Sequence, residues 1–274
     1  MAGSSFVLFL DDPRCRNVNL SGGKGASIAT MMQEGLPVPP GFVVTSAAFA
    51  AAIDRERLRT HCLARDIIGA RKIIATAKPP MPVVADHYAT LGGLVAVRSS
   101  ACAEDSKGAS YAGQQETYLD VAGLPAVLDK IIACWLSFFS DRAIFYRAEK
   151  GSLEDIDIAV VVQQMIASTK SGVLFTVDPV NGRKDRMVVE AGIGLGENVV
   201  NGENTPDYYS LDLKGAIKRS RIVDKPVLDE VELKQLMVLG QQLETLYECP
   251  QDVEWAFDNG GNLFILQSRP ITTI

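Results

Sequence analysis

The sequence predicts a protein of the α+β class, and three observations support this prediction. Residues 158–166 form an apolar, β-branched run of the kind found in buried strands. Residues 252–257 and 263–269 alternate in polarity around an Asn-Gly-Gly turn, which is typical of a β-hairpin. Apolar residues recur at steps of three and four along residues 125–150, which predicts a long amphipathic helix with its aromatic residues in the core.

Length and charge limit the classes of function. With 274 residues, 47% of them hydrophobic, the chain can bury one large core or two modest ones. The net charge of −6 argues against a nucleic-acid surface. No apolar run approaches the roughly 20 residues of a membrane span, and no targeting segment is seen, so we expect a soluble cytoplasmic protein. The five cysteines include no C-x-x-C pair, which favours reduced thiols.

The first predicted phosphate-binding element is a glycine-rich loop, Gly22-Gly23-Lys24-Gly25, ahead of a helix that starts at Ala26 and closes at Gly35. Glycines before a helix let the backbone approach an anion, and the helix N-terminus and Lys24 supply positive charge. The loop does not fit the Walker A pattern. Taken alone, the motif is a weak signal, because such a sequence is more often a plain turn.

The second predicted element follows a β-rich run, 95–97, that delivers Arg98 into a loop of small residues. The alternative is a buried strand that ends in an ordinary turn. Before it, a helix is predicted over 45–59, capped by Thr45 or Ser46, and residues 59–94 show no clear pattern around the prolines at 79–82.

Further strands are predicted at 172–177 and 186–190. The glycines that follow, at 192, 194 and 196, do not match a Rossmann fingerprint. A helix predicted over 229–247 contains Gly240, which favours a close contact with another element.

The hairpin carries the third group of functional candidates. With an even-numbered loop, Asp252, Glu254, Gln267 and Arg269 share one face. Carboxylate and amide oxygens suit Mg²⁺, and arginine suits phosphate. The alternative is a solvated face with cross-strand salt bridges.

Together these segments resemble the ATP-grasp nucleotide-binding domain of phosphoenolpyruvate synthase, pyruvate phosphate dikinase and rifampin phosphotransferase, from about residue 17 to 272. The resemblance rests on six motifs that occur in the family's order: residues 22–25, 36–42, 97–117, 171–176, 194–197 and 267–270. It implies an ATP-grasp fold over 1–274, in which two α+β lobes, approximately 1–155 and 156–274, bind the nucleotide between them.

The resemblance also implies roles for single residues. Lys24, Arg98 and Arg269 are expected to hold the phosphates and act in catalysis, and Glu254 and Gln267, with Asp252 as a third, to hold Mg²⁺. A lid over the phosphates is expected at Gly113, Gln114 and Thr117. A hinge that contacts the adenine is expected at Gln164, Met165 and Ile166.

The function implied is transfer of a phosphoryl or pyrophosphoryl group from MgATP to a histidine on a separate domain or partner protein, for onward transfer to a small-molecule acceptor. His61 and His87, the only histidines, lack the Thr-x-His setting of a phospho-carrier. We therefore expect a partner in trans and a naturally separate subunit. The alternatives are an ATP-grasp ligase and a non-catalytic ATP or ADP sensor.

Overall fold

A computed structural model describes residues 5–102, 116–150, 153–195 and 205–272, without the side chain of Lys150. The chain divides into two compact units: residues 1–35 with 39–165, and residues 36–38 with 166–274. The approximate lobe boundary expected between residues 155 and 156 lies before strand β5 (Ile158–Gln164), which belongs to the first unit. Both units combine helices with antiparallel strands, so the α+β prediction is confirmed.

The first unit is built on a five-stranded sheet. Its other strands are β1 (Val7–Phe9), β2 (Gly41–Val44), β3 (Leu94–Ala101) and β4 (Thr117–Ala122), in the order β1-β2-β5-β3-β4. All neighbouring pairs are antiparallel. The central strand β5 is buried as its apolar sequence predicts, although it ends at Gln164 rather than at Ile166.

Helices surround this sheet. They are α1 (Val18–Gln33), α2 (Ser46–Ala52), α3 (Arg55–Leu63), α4 (Ile67–Ala75), α5 (Met81–Leu91), α6 (Leu124–Ser137) and α7 (Asp141–Lys150). The aromatic residues predicted for the core are buried: Trp135 and Phe139 are fully enclosed, and Phe138 is 4% exposed.

Two predicted helices are each divided by a short polar side chain. Within 45–59, α2 begins at the Thr45 cap as predicted, but Asp54 accepts a hydrogen bond from the Arg57 N–H and starts α3. Within 125–150, the Ser140 hydroxyl accepts a bond from the Ala143 N–H at the start of α7. Ser and Asp favour caps because their side chains satisfy helix-terminal N–H groups.

Arginines fix the segment that leads into β5. Arg147 is fully buried and donates to the carbonyl oxygens of Asp155 (2.8 Å) and Phe138 (3.0 Å). Two exposed arginines of α3 pair with the same segment, Arg55 with Asp157 and Arg59 with Glu154.

The second unit contains a six-stranded antiparallel sheet and one long helix. The strands are β6 (Ser168–Phe175), β7 (Arg186–Ile193), β8 (Asp207–Asp212), β9 (Ile217–Arg221), β10 (Gln251–Asp258) and β11 (Leu263–Pro270), in the order β11-β10-β6-β7-β8-β9. The helix is α8 (Glu230–Tyr247), with Asp229 and Glu232 forming a capping box.

Helix α8 packs on one face of this sheet. A Cβ at Gly240 would lie 3.2 Å from the side chains of Leu174 and Met187, so the close contact predicted from this glycine is present. Glu232 also pairs with Lys170 of β6 at 2.7 Å. The functional candidates of β10 lie on the other face of the sheet.

The described part of the chain contains no helix with the length and apolar character needed to cross a membrane. All five cysteines are free thiols, as predicted. Burial raises the pKa of the Cys102 thiol to about 12, which is typical of a packed, unreactive thiol.

Candidate functional site

The glycine-rich segment lies inside α1, not ahead of it. Asn17 caps the helix through the Asn19 N–H at 3.0 Å, and the helix is interrupted at Gly22, where φ is 71° and ψ is 170°. Helical residues resume at Gly23, slightly before the predicted helix start at Ala26, and the short helical turn before the break was not predicted. Gly22 thus divides α1 into a short helical turn before the break and a longer helix after it.

Gly22 is needed because the chain here runs against the end of β3. A Cβ at this position would overlap the carbonyl oxygen and the hydroxyl of Ser100. Such backbone angles are adopted almost only by glycine. The break therefore brings the backbone of α1 into direct contact with β3.

Ser100 joins the two sides of the break to the sheet. Its hydroxyl accepts a hydrogen bond from the Gly25 N–H at 3.0 Å and donates one to the Ser21 carbonyl oxygen at 2.7 Å. The hydroxyl thus uses its donor and an acceptor to span the interruption. Strand β3 continues through Arg98 and Ser100 to Ala101, so the loop expected from Arg98 onward was wrong. A hydroxyl within a buried strand was the signal that the sequence prediction missed.

Lys24 and Arg98 are brought to the same junction. The Lys24 ammonium donates to the carbonyl oxygen of Ser99 at 3.1 Å, next to Arg98 in the chain. The two residues are only 8% and 6% exposed. Two cationic side chains in one small region can together bind a polyanion.

Thr117 joins this group through strand pairing. It lies opposite Arg98 in the antiparallel pair of β4 and β3, and opposite residues share a face of the sheet. The other two residues predicted for the lid, Gly113 and Gln114, lie outside the described residues.

Several backbone groups of the predicted hinge are already hydrogen-bonded. The Gln164 N–H donates to the Pro40 carbonyl oxygen and the Met165 N–H to that of Leu94, both at 2.9 Å. Ser168 donates to the Ile166 carbonyl oxygen at 2.7 Å. Proline has no N–H, so Pro40 cannot return a ladder bond to the Gln164 carbonyl oxygen. This oxygen remains suited to accept from another donor.

The hairpin forms, but its turn differs from the prediction. Asp258 and Asn262 close a turn of three intervening residues, with Gly261 at a φ of 75°. The loop is therefore odd-numbered, and the expected even-numbered loop was wrong. A three-residue turn with glycine in the left-handed region is a common hairpin connection.

A β-bulge restores the predicted pairing. Trp255 pairs with Ile265 while Glu254 pairs with Gln267, so Leu266 is the extra residue. Without it, Gln267 would lie opposite Val253 and point to the other face. The bulge thus places four polar residues on one face: Asp252 opposite Arg269, and Glu254 opposite Gln267. On the other face, Val253, Trp255 and Phe257 are buried.

Asp252 and Arg269 form an ion pair on this face. Asp252 Oδ2 accepts from Nη2 of Arg269 at 2.7 Å and from its Nε at 2.8 Å. Burial raises the pKa of the Asp252 carboxyl, while Arg269 acts in the opposite direction. The Asp252 side chain is 14% exposed and that of Arg269 48%. Arg269 is therefore the more accessible member of the pair.

The donor set fits a magnesium ion that arrives with its nucleotide. The hairpin face offers two carboxylates and an amide, and among the described residues no three His, Cys, Asp or Glu side chains are grouped to hold a metal by themselves. Mg²⁺ commonly binds through one or two carboxylates, with phosphates and waters completing its shell.

The sequence matches a family model described as "Pyruvate phosphate dikinase, AMP/ATP-binding domain", over residues 18–227 and 211–274. It is 40% identical to a probable phosphoenolpyruvate synthase of Archaeoglobus fulgidus, covering 98% of this chain and 42% of that protein. It is 35% identical to the rifampicin phosphotransferase of Bacillus cereus, covering 99% of this chain and 36% of the relative. The chain thus spans less than half the length of these relatives.

Solved structures show weaker similarity. PH1788 from Pyrococcus horikoshii matches with a TM-score of 0.44 and 12% identity, over 90% of this chain and 91% of that one. The ADP complex of purK, N5-carboxyaminoimidazole ribonucleotide synthetase, matches with a TM-score of 0.40 and 11% identity, over 92% and 46% of the two chains.

Proposed function

This chain belongs to the family of pyruvate phosphate dikinase AMP/ATP-binding domains, and we propose that it binds MgATP and serves an ATP-dependent phosphotransferase reaction of the dikinase type. In the finer form of the proposal, a histidine of a separate domain or protein receives a phosphoryl or pyrophosphoryl group and passes it to a small-molecule acceptor. Attack of the imidazole nitrogen on the γ-phosphorus releases ADP, and attack on the β-phosphorus releases AMP.

The observation that carries this proposal is the junction of α1 with β3. It fixes the ammonium of Lys24 on β3 and buries Arg98 beside it. Phosphoryl transfer depends mainly on positioning and on neutralising negative charge, because little covalent chemistry is required of the protein. Lys24 and Arg98 bind phosphate oxygens in this proposal and stabilise the charge that builds up on the leaving group.

The hairpin face supplies the metal-binding groups. Glu254, Gln267 and Asp252 would hold Mg²⁺, which neutralises charge on the phosphates when bound. Arg269 is held ready by Asp252 and is accessible enough to turn to a phosphate oxygen. The carboxylate of Asp252 is then released from its ion pair to bind the metal.

The end of β5 supplies the contact with the base. We assign the Gln164 carbonyl oxygen as acceptor for the adenine 6-amino group, because Pro40 leaves this oxygen without a ladder donor. Ile166, two residues further on, is assigned as the N–H donor to the ring. This assignment deepens the hinge prediction, since the Met165 N–H is already bonded to Leu94.

Base selectivity follows from this assignment. GTP and ITP carry a 6-oxo group, which would place an acceptor against the Gln164 carbonyl oxygen. An unsatisfied buried polar group costs about 1–3 kcal/mol, so we expect both to bind about 5–150-fold more weakly than ATP. Calorimetric titration of the three nucleotides with Mg²⁺ measures the ratio. ITP lacks the 2-amino group of GTP and controls for steric exclusion; equal affinity for ATP and ITP would contradict the assignment.

Nucleotide affinity tests the phosphate site. Arg98→Met and Lys24→Met each remove a charge-assisted contact worth about 1.5–3 kcal/mol, so we expect MgATP to bind about 10–150-fold more weakly in each variant. Arg59→Met is the matched control, because Arg59 is an exposed arginine paired with Glu154. Calorimetric titration measures affinity, and thermal unfolding reports the cost of changing a buried residue. Unchanged affinity in both folded variants would refute the proposed function.

A further inference from the structure

A groove of about 570 Å³ lies between α3 and α4, and the proposed function uses none of its residues. Its apolar part includes Ile53 and Ile73, and its polar part includes Arg57, His61 and Lys72. All of these residues belong to the first unit. The groove therefore combines apolar side chains, which could contact the organic part of a small molecule, with basic side chains.

The imidazole of His61 is held in a fixed orientation. Its Nδ1 lies 2.9 Å from Asp66 Oδ2, while Asp66 Oδ1 accepts from the Gly69 N–H at 2.9 Å. The Gly69 N–H and His61 lower the pKa of the Asp66 carboxyl. Because an ionised carboxylate only accepts hydrogen bonds, Nδ1 must carry the proton. Nε2 is left as the ring atom that can bind a ligand.

Gly69 makes this orientation possible. A Cβ added at Gly69 would overlap Nδ1 and the neighbouring ring carbon of His61, as well as the Asp66 carboxylate. Glycine inside a helix costs about 1 kcal/mol relative to alanine. At Gly69 of α4, the absence of a side chain lets the imidazole of His61 pack directly on the helix backbone.

The basic side chains of the groove keep their N–H donors free of the described residues. Arg57 and Lys72 form no ion pair or side-chain hydrogen bond with them, whereas Arg55 and Arg59 of the same helix α3 pair with carboxylates. The groove's acids are used locally: Asp54 Oδ1 accepts from the Arg57 N–H at 3.1 Å, and both oxygens of Asp66 are engaged. The formal charges of Asp54 and Asp66 balance those of Arg57 and Lys72, so the groove offers a ligand unoccupied N–H donors rather than an excess of positive charge.

We propose that this groove is a second ligand site, which binds a small molecule carrying a phosphate group. The guanidinium of Arg57 and the ammonium of Lys72 donate to phosphate oxygens. His61 Nε2 accepts from a protonated phosphate oxygen, because Nδ1 carries the ring proton. The isoleucines accommodate the organic part of the molecule. This site is separate from the proposed nucleotide site, where Lys24 and Arg98 bind the triphosphate.

The two histidines allow a direct test. His61 and His87 are the only histidines in the chain, so ring signals in a two-dimensional NMR spectrum are easily assigned. Inorganic phosphate is titrated into the full chain at constant pH and ionic strength. We expect a saturable shift of the His61 signals at millimolar phosphate. His87 serves as internal reference, because its Nδ1 lies 2.8 Å from the Val83 carbonyl oxygen and its ring lies 4.4 Å from that of Phe9.

Variants at the surface identify the site. Arg57→Gln with Lys72→Gln is expected to weaken the phosphate response of His61 at least tenfold, whereas Arg59→Gln should leave it unchanged. Acetate at equal ionic strength, as a monoanionic carboxylate, is expected to act at least tenfold more weakly than phosphate. The proposal is overturned if His61 shows no saturable shift, if the double variant responds like the wild type, or if acetate and phosphate act alike. None of these results depends on ATP binding.

Discussion

Replacing Gly22 with alanine is expected to lower the free energy of unfolding by about 2–6 kcal/mol. Two costs combine in this estimate. A residue with a side chain pays about 1–3 kcal/mol in this backbone region, and forcing a methyl group into a packed site costs about 1–3 kcal/mol more. The new Cβ would overlap the Ser100 carbonyl oxygen and hydroxyl. Urea unfolding of the wild type and the variant measures the difference.

Gly35→Ala separates the two costs. Gly35 also has a positive φ, 78°, but nothing lies within 4 Å of a Cβ built there. This variant pays for the backbone conformation alone, and we expect it to lose about 1 kcal/mol. Equal losses in Gly22→Ala and Gly35→Ala would show that the contact with Ser100 has no energetic importance.

The affinity for MgATP should fall with Gly22→Ala as well. The Gly25 N–H is bonded to the Ser100 hydroxyl and the Lys24 ammonium to the Ser99 carbonyl oxygen. Moving α1 away from β3 displaces both, so the folded fraction of the variant is expected to bind MgATP more weakly. Gly35→Ala should retain wild-type affinity, because Gly35 follows the other end of α1.

The break at Gly22 shows a limit of prediction from local sequence patterns. Several glycines in succession are typical of a turn, and the prediction placed a loop there for that reason. The structure keeps the residues around Gly22 helical because Ser100 supplies hydrogen bonds on both sides of it. That support comes from a strand distant in sequence, and a local pattern carries no information about it. The sequence pattern offered Lys24 and Arg98 as two candidate phosphate-binding elements, and the resemblance assigned both to one nucleotide.

The helix boundaries were wrong for a related reason. The apolar periodicity over 45–59 and 125–150 continues across the breaks, since residues on both sides face the same core. Asp54 and Ser140 nevertheless start new helices through single capping bonds. In residues 59–94, α4 and α5 are each too short to establish a periodic pattern, which explains why no prediction was made there.

In the hairpin, the predicted cross-strand pairs are present, but the turn and the bulge that produce them were not predicted. The alternation of Asp252 and Glu254 with apolar residues was enough to predict which residues share a face. The parity of the loop was not readable from the sequence, because it depends jointly on the turn and on the bulge at Leu266. The structure compensates an odd loop with one extra residue, and so keeps the polar group together.

Replacing Glu254 with glutamine is expected to remove most of the increase in ATP affinity that Mg²⁺ provides. Glutamine keeps the size and hydrogen-bonding shape of glutamate but loses the charge that a hard cation requires. If Glu254 holds the metal, we expect MgATP to bind about 10–100-fold more weakly, by analogy with the effect of changing groups around metal sites. Affinity for ATP in the presence of a chelator should change little. Calorimetric titrations with and without Mg²⁺ measure both quantities.

Two further variants serve as a control for net charge and as a comparison between the two carboxylates. Glu230→Gln removes the same charge from the exposed first turn of α8 and should leave the effect of Mg²⁺ unchanged, which controls for net charge. Asp252→Asn should cost less than Glu254→Gln, because burial raises the pKa of the Asp252 carboxyl and its charge is already shared with Arg269. If Glu254→Gln retains the full effect of Mg²⁺ while Asp252→Asn loses it, Asp252 is the main metal ligand and Glu254 has been misassigned. If neither changes it, the metal does not bind this hairpin face.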